Sequence, residues 1–562
     1  MSTTATKDVH DESTISGGEV VARFLEANGV GAAFGVISIH NLPILDAIGT
    51  RGLIRFVPSR GEAGAINMAD AYSRVKGQLG VAFTSTGTGS GNAAGTMIEA
   101  LTAGSPVLHI TGQVDTPYLD RECGFIHETR DQPGMLKAIS KATLRAWSTG
   151  EIAGVLKKAA QIALTPPMGP VSVEIPIDVQ QGHTKIPTNL HIQSLSLPRV
   201  PASEIDQLVQ IVGKARRPLL WLGGGARHAG DAVKRLLKIG FCCVTSVNGR
   251  GIVAEDHPQT LGALQMQKAS EDLYKSCDAM IVVGSRLRAA ETRGYTLHLP
   301  KPLAIVDADP SLDHRSYKSD CFITGDAHDV LSALADRLES SYQTGDDFLS
   351  DVAHAKQAAT AEASAQLGVY GEIMQYLRQE LPKNSVWVRD VTLANSIWGN
   401  RLFKIYNARQ GVHALGGGIG QGLAMAIGAA TACSSNEKTA VLCGDGGLML
   451  GIGELATLAQ ENLNVILLIM NDRGYGVIRN IQTDRFEKRH FYTNLSTPNL
   501  ANIAKEMGLA AERIETLQQF RTTLDKAMSQ EGPFVIEVDM EALGPYPAMF
   551  AGPPVGVRVS SR

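Results

Sequence analysis

The sequence predicts an α/β protein of three doubly wound parallel-sheet domains. Three observations carry that reading. Short apolar runs are followed repeatedly by a glycine-rich turn and then a helical period, the signature of βαβ units. A chain of 562 residues suits roughly three to four domains on length alone. A Pro-rich, low-charge passage, IPTNLHIQSLSLPRVPAS, and a polar, Ala-rich stretch over 344–365 divide the chain where linkers are expected.

The first block, 1–185, contains the strand-like GVAFTST, the turn GTGSGN, a helical stretch and PVLHITGQV, and closes on GPVSVEIPIDV. The second, 200–340, carries RPLLWLGGGA, FCCVTSV, AMIVVGSR and PLAIVDADP. The third, 366–562, carries SVWVRDV, TAVLCGDGG, NVILLIMND and PFVIEVDM. The first and third share a plan: strands, and a glycine turn after a strand.

Composition excludes several classes. The chain is 44% hydrophobic and 19% charged, which is globular. A formal net charge of −4 leaves no basic surplus for nucleic acid or an anionic membrane. The opening MSTTATKDVHDEST lacks the basic-then-apolar order of a signal peptide. The strongest apolar run, 465–470, is strand-sized and too short to span a bilayer. Seven scattered cysteines with no Cys-x-x-Cys spacing argue against a disulfide framework or a zinc site. The expectation is a cytoplasmic protein with reduced thiols.

The stretch GDGGLMLGIGELATLAQENLNVILLIMND carries the chemistry. TAVLCG reads as a strand ending at Asp445, and Ile452, Leu455, Ala456 and Ala459 as the buried stripe of a helix. NVILLIM reads as the next strand, ending at Asn471-Asp472. Asp472 follows Asp445 by 27 residues, one full crossover. Both carboxylates therefore reach the carboxyl edge of one parallel sheet, where open α/β folds bind ligands. Gly446 and Gly447 leave amides uncovered near a helix start, which suits a phosphate. Two carboxylates with phosphate oxygens suit a hard cation such as Mg²⁺. A lone Gly-Asp-Gly marks only a turn; the second acid one crossover later points to a Mg²⁺-bridged diphosphate.

This stretch resembles the diphosphate motif of thiamine-diphosphate (ThDP) enzymes, and the likeness extends over nearly the whole chain, to the acetolactate synthase, benzaldehyde lyase and 2-oxo acid decarboxylase group. The resemblance implies pyrimidine-binding, central and diphosphate-binding domains in that order. It implies Asp445, Asp472 and the Gly474 carbonyl as metal ligands, with Asp472 standing where the family commonly has Asn. Gly444, Gly446, Gly447, Tyr475 and Gly476 fall on the diphosphate loop. Glu62, in SRGEAGAINMADAYSRVKG, matches the glutamate that hydrogen-bonds the cofactor's pyrimidine; the usual preceding His is here Gly61. In GVHALGGGIGQGLAMAIGAA, Gly417 and Ile419 match the loop beneath the bent cofactor, Ile419 as the large apolar residue that forces the bend. Asn395, in RDVTLANSIWG, is the candidate diphosphate ligand upstream.

The substrate side must choose the reaction. His40, in FGVISIHNLPILDA, matches an active-site histidine of benzaldehyde lyase. His127, in IHETRDQ, stands where the synthases and the lyase usually carry glutamine. A histidine near a carbonyl oxygen can relay protons. His413, Val477, Ile478 and Gln482 are candidates for the substrate cavity, and the tail GPYPAMFAGPPVG for a lid. The expected activity is C–C lyase or carboligase chemistry on 2-oxo acids, 2-hydroxy ketones or diketones. A flavin-containing relative (a synthase proper or a pyruvate oxidase type) and a non-catalytic relative are the alternatives. FAD or ADP on WLGGGARHAG stays open, because no full G-x-G-x-x-G is present. Family architecture implies a homodimer at least, commonly a tetramer, because the cofactor lies between the first block of one subunit and the third block of another.

Overall fold

The computed structural model describes residues 13–193 and 197–552. The first compact unit comprises the described residues up to Ser73 and those of the segment Gln78–Leu195. Its sheet is wholly parallel, in the order Arg55–Pro58, Ala32–Gly35, Gly80–Thr84, Val107–Gln113, Val171–Pro176, Ala142–Arg145. The middle strands are buried throughout, as a sheet covered on both faces requires. The chain leaves Ala32–Gly35 on one side to form Arg55–Pro58 and returns on the other as Gly80–Thr84. That reversal opens a crevice at the carboxyl ends of the strands. The loops meeting there hold His40, Glu62 and Ser85–Gly89. Helix Glu62–Lys76 begins with an acid and ends with Arg74 and Lys76, so its charges complement its dipole.

A small antiparallel pair, Thr14–Ser16 with His183–Lys185, also belongs to the first unit, and the second unit holds two more parallel sheets. The central one is parallel, ordered Cys242–Thr245, Pro218–Leu222, Ala279–Val283, Leu303–Asp307, Cys321–Thr324. The last is ordered Gly411–His413, Val386–Arg389, Thr439–Gly444, Val465–Asn471, Phe534–Asp539, Ala510–Ile514, again all parallel. Together with the first unit this makes three parallel-sheet α/β domains. In the last sheet the reversal falls between Val386–Arg389 and Thr439–Gly444, so Asp390 and Asp445 each follow a strand end at its carboxyl edge.

Two local expectations shift. GTGSGN, read as a turn, forms the short helix Thr88–Asn92. The stripe Ile452, Leu455, Ala456, Ala459 is out of phase: the helix is Glu454–Glu461 and buries Glu454, Leu455, Thr457 and Leu458. A separate short helix, Asp445–Leu450, precedes it and resets the period.

Candidate functional site

Strands Thr439–Gly444 and Val465–Asn471 run parallel in register, Gly444 opposite Met470, and bring Asp445 and Asp472 to the same edge. Asp445 is fully buried in the first turn of its helix. Its Oδ2 accepts the Thr497 hydroxyl at 2.7 Å, and its Oδ1 receives no donor among the described residues. Asp472's carboxyl is raised above the usual range, first by burial and then by the Asp445 charge. Two facing acids and an orphaned oxygen are the donor set a hard divalent cation relieves. Arg479, which the sequence reading missed, lies 3.7 Å from the Asp472 carboxylate and donates to the carbonyls of Asp472 and Arg473. It partly balances the charge that Asp carries and Asn would not.

The neighbouring glycines have packing reasons. A Cβ on Gly476 would lie 2.0 Å from Asp472 Oδ2, and one on Gly446 would lie 2.8 Å from the Tyr475 ring. Gly474 pairs with Asn494 in an antiparallel bridge, and a Cβ there would meet Thr493's carbonyl at 2.1 Å. A Cβ on Gly444 would lie 3.0 Å from Thr392 Oγ1, so Thr392 stands beside the Gly-Asp-Gly turn.

Asn395 faces elsewhere. It is buried in the π-helical segment Asn395–Gly399, with its amide 3.5 Å from His413 Nδ1 and its Oδ1 turned toward Gly399. His413's ring is held by Asn395, by Asn400 at 3.2 Å and by the Arg389 carbonyl at 3.2 Å. Burial, then the Arg389 charge, push its pKa well below the usual value, which favours the neutral ring. The structure thus joins Asn395 and His413 to each other and turns both inward.

Ile419 is a large apolar side chain left 38% exposed, between Gly417 and Gly420 at φ +84° and +83°. Asp390 clamps that loop. Its carboxylate accepts amides from Val391 at 2.7 Å, Gly420 at 3.0 Å and Gly422 at 3.2 Å. Burial pushes Asp390 up to about 6 even though these amides favour its charged form. The sequence signal for Asp390 is an acid ending a strand in RDVTLANSIWG.

Helix Gly476–Arg485 has no buried residue. Val477 is half-buried and Ile478 is 48% exposed. Gln482 spends its amide on the backbone of Phe491, at 3.0 and 3.2 Å. Of the tail, residues 544–552 are described and 553–556 lie outside the described residues. Tyr546 stacks on Tyr370 of helix Val369–Glu380 with centroids 4.0 Å apart, and Ala551 accepts from Arg485, so the end of the described part meets helix Gly476–Arg485.

In the first unit, Glu62's carboxyl accepts from Asn92 at 3.2 Å and packs on Gly89, where a Cβ would come within 2.8 Å of Oε1. His127, at φ +63°, presses its carbonyl on Gly87, and its Nδ1 lies 3.4 Å from the Ser85 hydroxyl. His40 is buried, with Nδ1 unpartnered and its ring centroid 5.2 Å from that of His127. Its pKa is lowered by burial first and the His127 charge second, while Asp115 opposes. The structure brings Glu62, His40 and His127 to one crevice.

The turn between them hangs on a buried network that the sequence did not disclose. Gln132 Oε1 accepts from Thr86 Oγ1 at 2.9 Å and the Gly87 amide at 2.7 Å. Its amide nitrogen donates to Glu174 at 2.7 Å, and Glu174 in turn takes Arg145 at 2.8 Å.

The glycines of WLGGGARHAG are spent internally. Gly223 and Gly225 donate to the carbonyls of Val283 and Gly284, and a Cβ on Gly223 would lie 2.2 Å from Gly284's oxygen. These glycines serve strand-end packing.

Three family models match the chain, all described as thiamine pyrophosphate enzyme: the N-terminal TPP binding domain over 15–135, the central domain over 205–334 and the C-terminal TPP binding domain over 394–538. The chain belongs to the thiamine pyrophosphate enzymes and is a ThDP-dependent enzyme of the lyase/transferase kind. It is similar to a probable acetolactate synthase large subunit of Methanocaldococcus jannaschii, at 27% identity over 96% of this chain and 94% of the relative. A probable 2-ketoarginine decarboxylase of Pseudomonas aeruginosa is 28% identical, over 94% of each chain. The acetolactate synthase isozyme 2 large subunit of Escherichia coli is 27% identical, over 94% of this chain and 96% of the relative. No helix among the described residues is long and apolar enough to cross a membrane.

Proposed function

We propose that the protein is a Mg²⁺- and ThDP-dependent C–C lyase or carboligase acting on 2-oxo acids, 2-hydroxy ketones or diketones. The carrying observation is the pair of facing acids, Asp445 and Asp472, at the carboxyl edge of the last sheet. Asp445, Asp472 and Gly474 would hold Mg²⁺. Gly444, Gly446, Gly447, Tyr475 and Gly476 would receive the diphosphate. Gly417 and Ile419 would carry the bend of the cofactor, and Glu62 its pyrimidine. Thr392 replaces Asn395 as the upstream neighbour of the diphosphate turn. Bound ThDP supplies the electron sink that such chemistry needs.

His40 and His127 supply the proton traffic on the substrate side. A neutral, buried His40 can accept a proton from a substrate hydroxyl, and His127 lies next to it to orient or relay. Half-buried Val477 and exposed Ile478 offer apolar contact for a side chain. The relatives' names support a 2-oxo acid such as pyruvate as donor. A histidine in place of the synthase glutamine, together with His40, supports hydroxy ketones and diketones. A homodimer or tetramer in the cytoplasm fits the family's sharing of the cofactor between subunits.

The test is product NMR with CO₂ measurement after incubation with Mg²⁺, ThDP and pyruvate, a 2-hydroxy ketone or a diketone. CO₂ with a ligated product, or cleavage of the ketone substrates, supports the reading. Inertness toward all three classes by a protein that binds the cofactor contradicts it.

A further inference from the structure

A cavity of about 500 Å³ lies within the second unit, away from the acids of the last sheet. One wall is the turn that carries Arg227 and the helix Gly230–Lys238, on which Lys234 and Lys238, four residues apart, share a face. The floor is apolar, from Leu237, Ile252 and Val253. The opposite wall is the loop Tyr406, Asn407 and Ala408 of the last domain. Pockets of this size between domains are common ligand sites.

Its charge is one-sided. No lining residue is acidic. The acids around it are engaged: Glu255 with Arg250 at 2.6 Å, Asp256 with Lys383 at 3.3 Å, Asp231 with Lys234 at 3.1 Å, and Asp336 and Glu339 with Arg235. Among the described residues, the exposed Lys238 ammonium at the rim makes no side-chain hydrogen bond or ion pair within contact distance. His257 accepts the Gln259 amide through Nδ1, leaving Nε2 for a ligand. In a protein of net charge −4 this is a local cationic basin over an apolar floor.

The walls are firmly joined. Gly251, at φ +81°, lets the chain approach so closely that a Cβ would stand 2.3 Å from Asn407's oxygen. Buried Arg250 donates to the carbonyls of Gly399 and Phe403. Beyond Ala408 the chain enters strand Gly411–His413 and then the loop of Gly417 and Ile419. The cavity wall is therefore a few residues upstream of the loop that Asp390 clamps.

We infer that this cavity binds a small organic anion, with a phosphate or carboxylate head at Lys238, an apolar body over Ile252 and Val253, and Arg227, whose guanidinium already donates to the carbonyls of Arg74 and Ala408, adding positive charge at the wall, and that its occupancy stiffens the segment 411–420. Lys238 is outside the catalytic and cofactor machinery, so its variants keep basal activity. The test uses full-length protein saturated with Mg²⁺ and ThDP, so that anion-binding loops of the cofactor site are filled. Phenyl phosphate and benzoate are titrated separately by calorimetry into wild type, Lys238→Glu and Lys238→Arg. At least one probe should bind, about tenfold more weakly to Lys238→Glu and nearly unchanged to Lys238→Arg. Hydrogen exchange over 411–420 should slow with the bound probe. The stronger probe identifies the preferred head group. Binding by neither probe, or equal binding by Lys238→Glu, overturns the site; unchanged exchange overturns the coupling.

Discussion

The rings of His40 and His127 stand with centroids 5.2 Å apart and tilted by 44°, at the crevice where the first sheet reverses direction. Burial favours the neutral form of His40, and the neighbouring His127 adds to that preference. Replacing His127 by Asn removes the second cause of the His40 shift. The acid limb of the rate profile should then move to higher pH, and product ratios should change in His40→Ala. An unmoved limb and wild-type product ratios would return both histidines to ordinary loop residues.

Gly89 and Glu62 give a test that separates chemistry from folding. A Cβ at Gly89 would sit 2.8 Å from Glu62 Oε1 and 2.8 Å from Ser85 Cβ, whereas one at Gly91 would meet nothing within 4 Å. Gly89→Ala should lower turnover toward that of Glu62→Gln, itself down by about a hundredfold or more. Gly91→Ala should leave turnover near wild type. Equal turnover in all these variants would remove Glu62 from the mechanism.

Gln132 places Thr86 and Gly87 on the same oxygen and steadies buried Glu174. Gln132→Leu strips these partners and leaves polar groups unpaired in the core. Denaturant unfolding should report a loss of about 3 kcal/mol. A loss within the scatter of surface substitutions would mean the network is replaceable by water.

His109 is fully buried between the hydroxyls of Thr84 at 2.8 Å and Ser172 at 3.0 Å, and burial lowers its pKa from 6.5 to about 4. The unfolded chain therefore takes up a proton that the folded chain refuses between those values. Stability from this site is complete above pH 6.5 and declines as pH falls toward 4, by about 3 kcal/mol in total. Acid unfolding should show that dependence, and His109→Gln should flatten it. A variant with the same acid slope as wild type would assign the loss to other groups.

The legible part of the molecule was the part with strong periodicity. Asp445 and Asp472 could be placed on one sheet edge because apolar strands bracket a single crossover, and parallel pairing leaves little choice of edge. The intervening helix was misphased because the short helix Asp445–Leu450 breaks the period before Glu454. Asn395 and Thr392 differ by three positions on a helical turn, and which of them faces Gly444 depends on a π-helical register that composition does not encode. Gln132 and Arg479 act through partners distant in sequence or through backbone groups, so a linear reading offers no spacing to find them; Asp390 carried only the weak signal of an acid at a strand end. Gln482 and His413 looked like cavity residues by position, yet both spend their polar atoms inside the chain.

The most direct measurement is ThDP binding with and without Mg²⁺ in wild type and Asp445→Ala. The account predicts tight binding that requires Mg²⁺ in wild type and is lost in Asp445→Ala, whose fold by circular dichroism stays intact. Metal-independent binding, or retained Mg²⁺-dependent affinity in Asp445→Ala, would contradict the assignment of the facing acids as the cofactor's metal site.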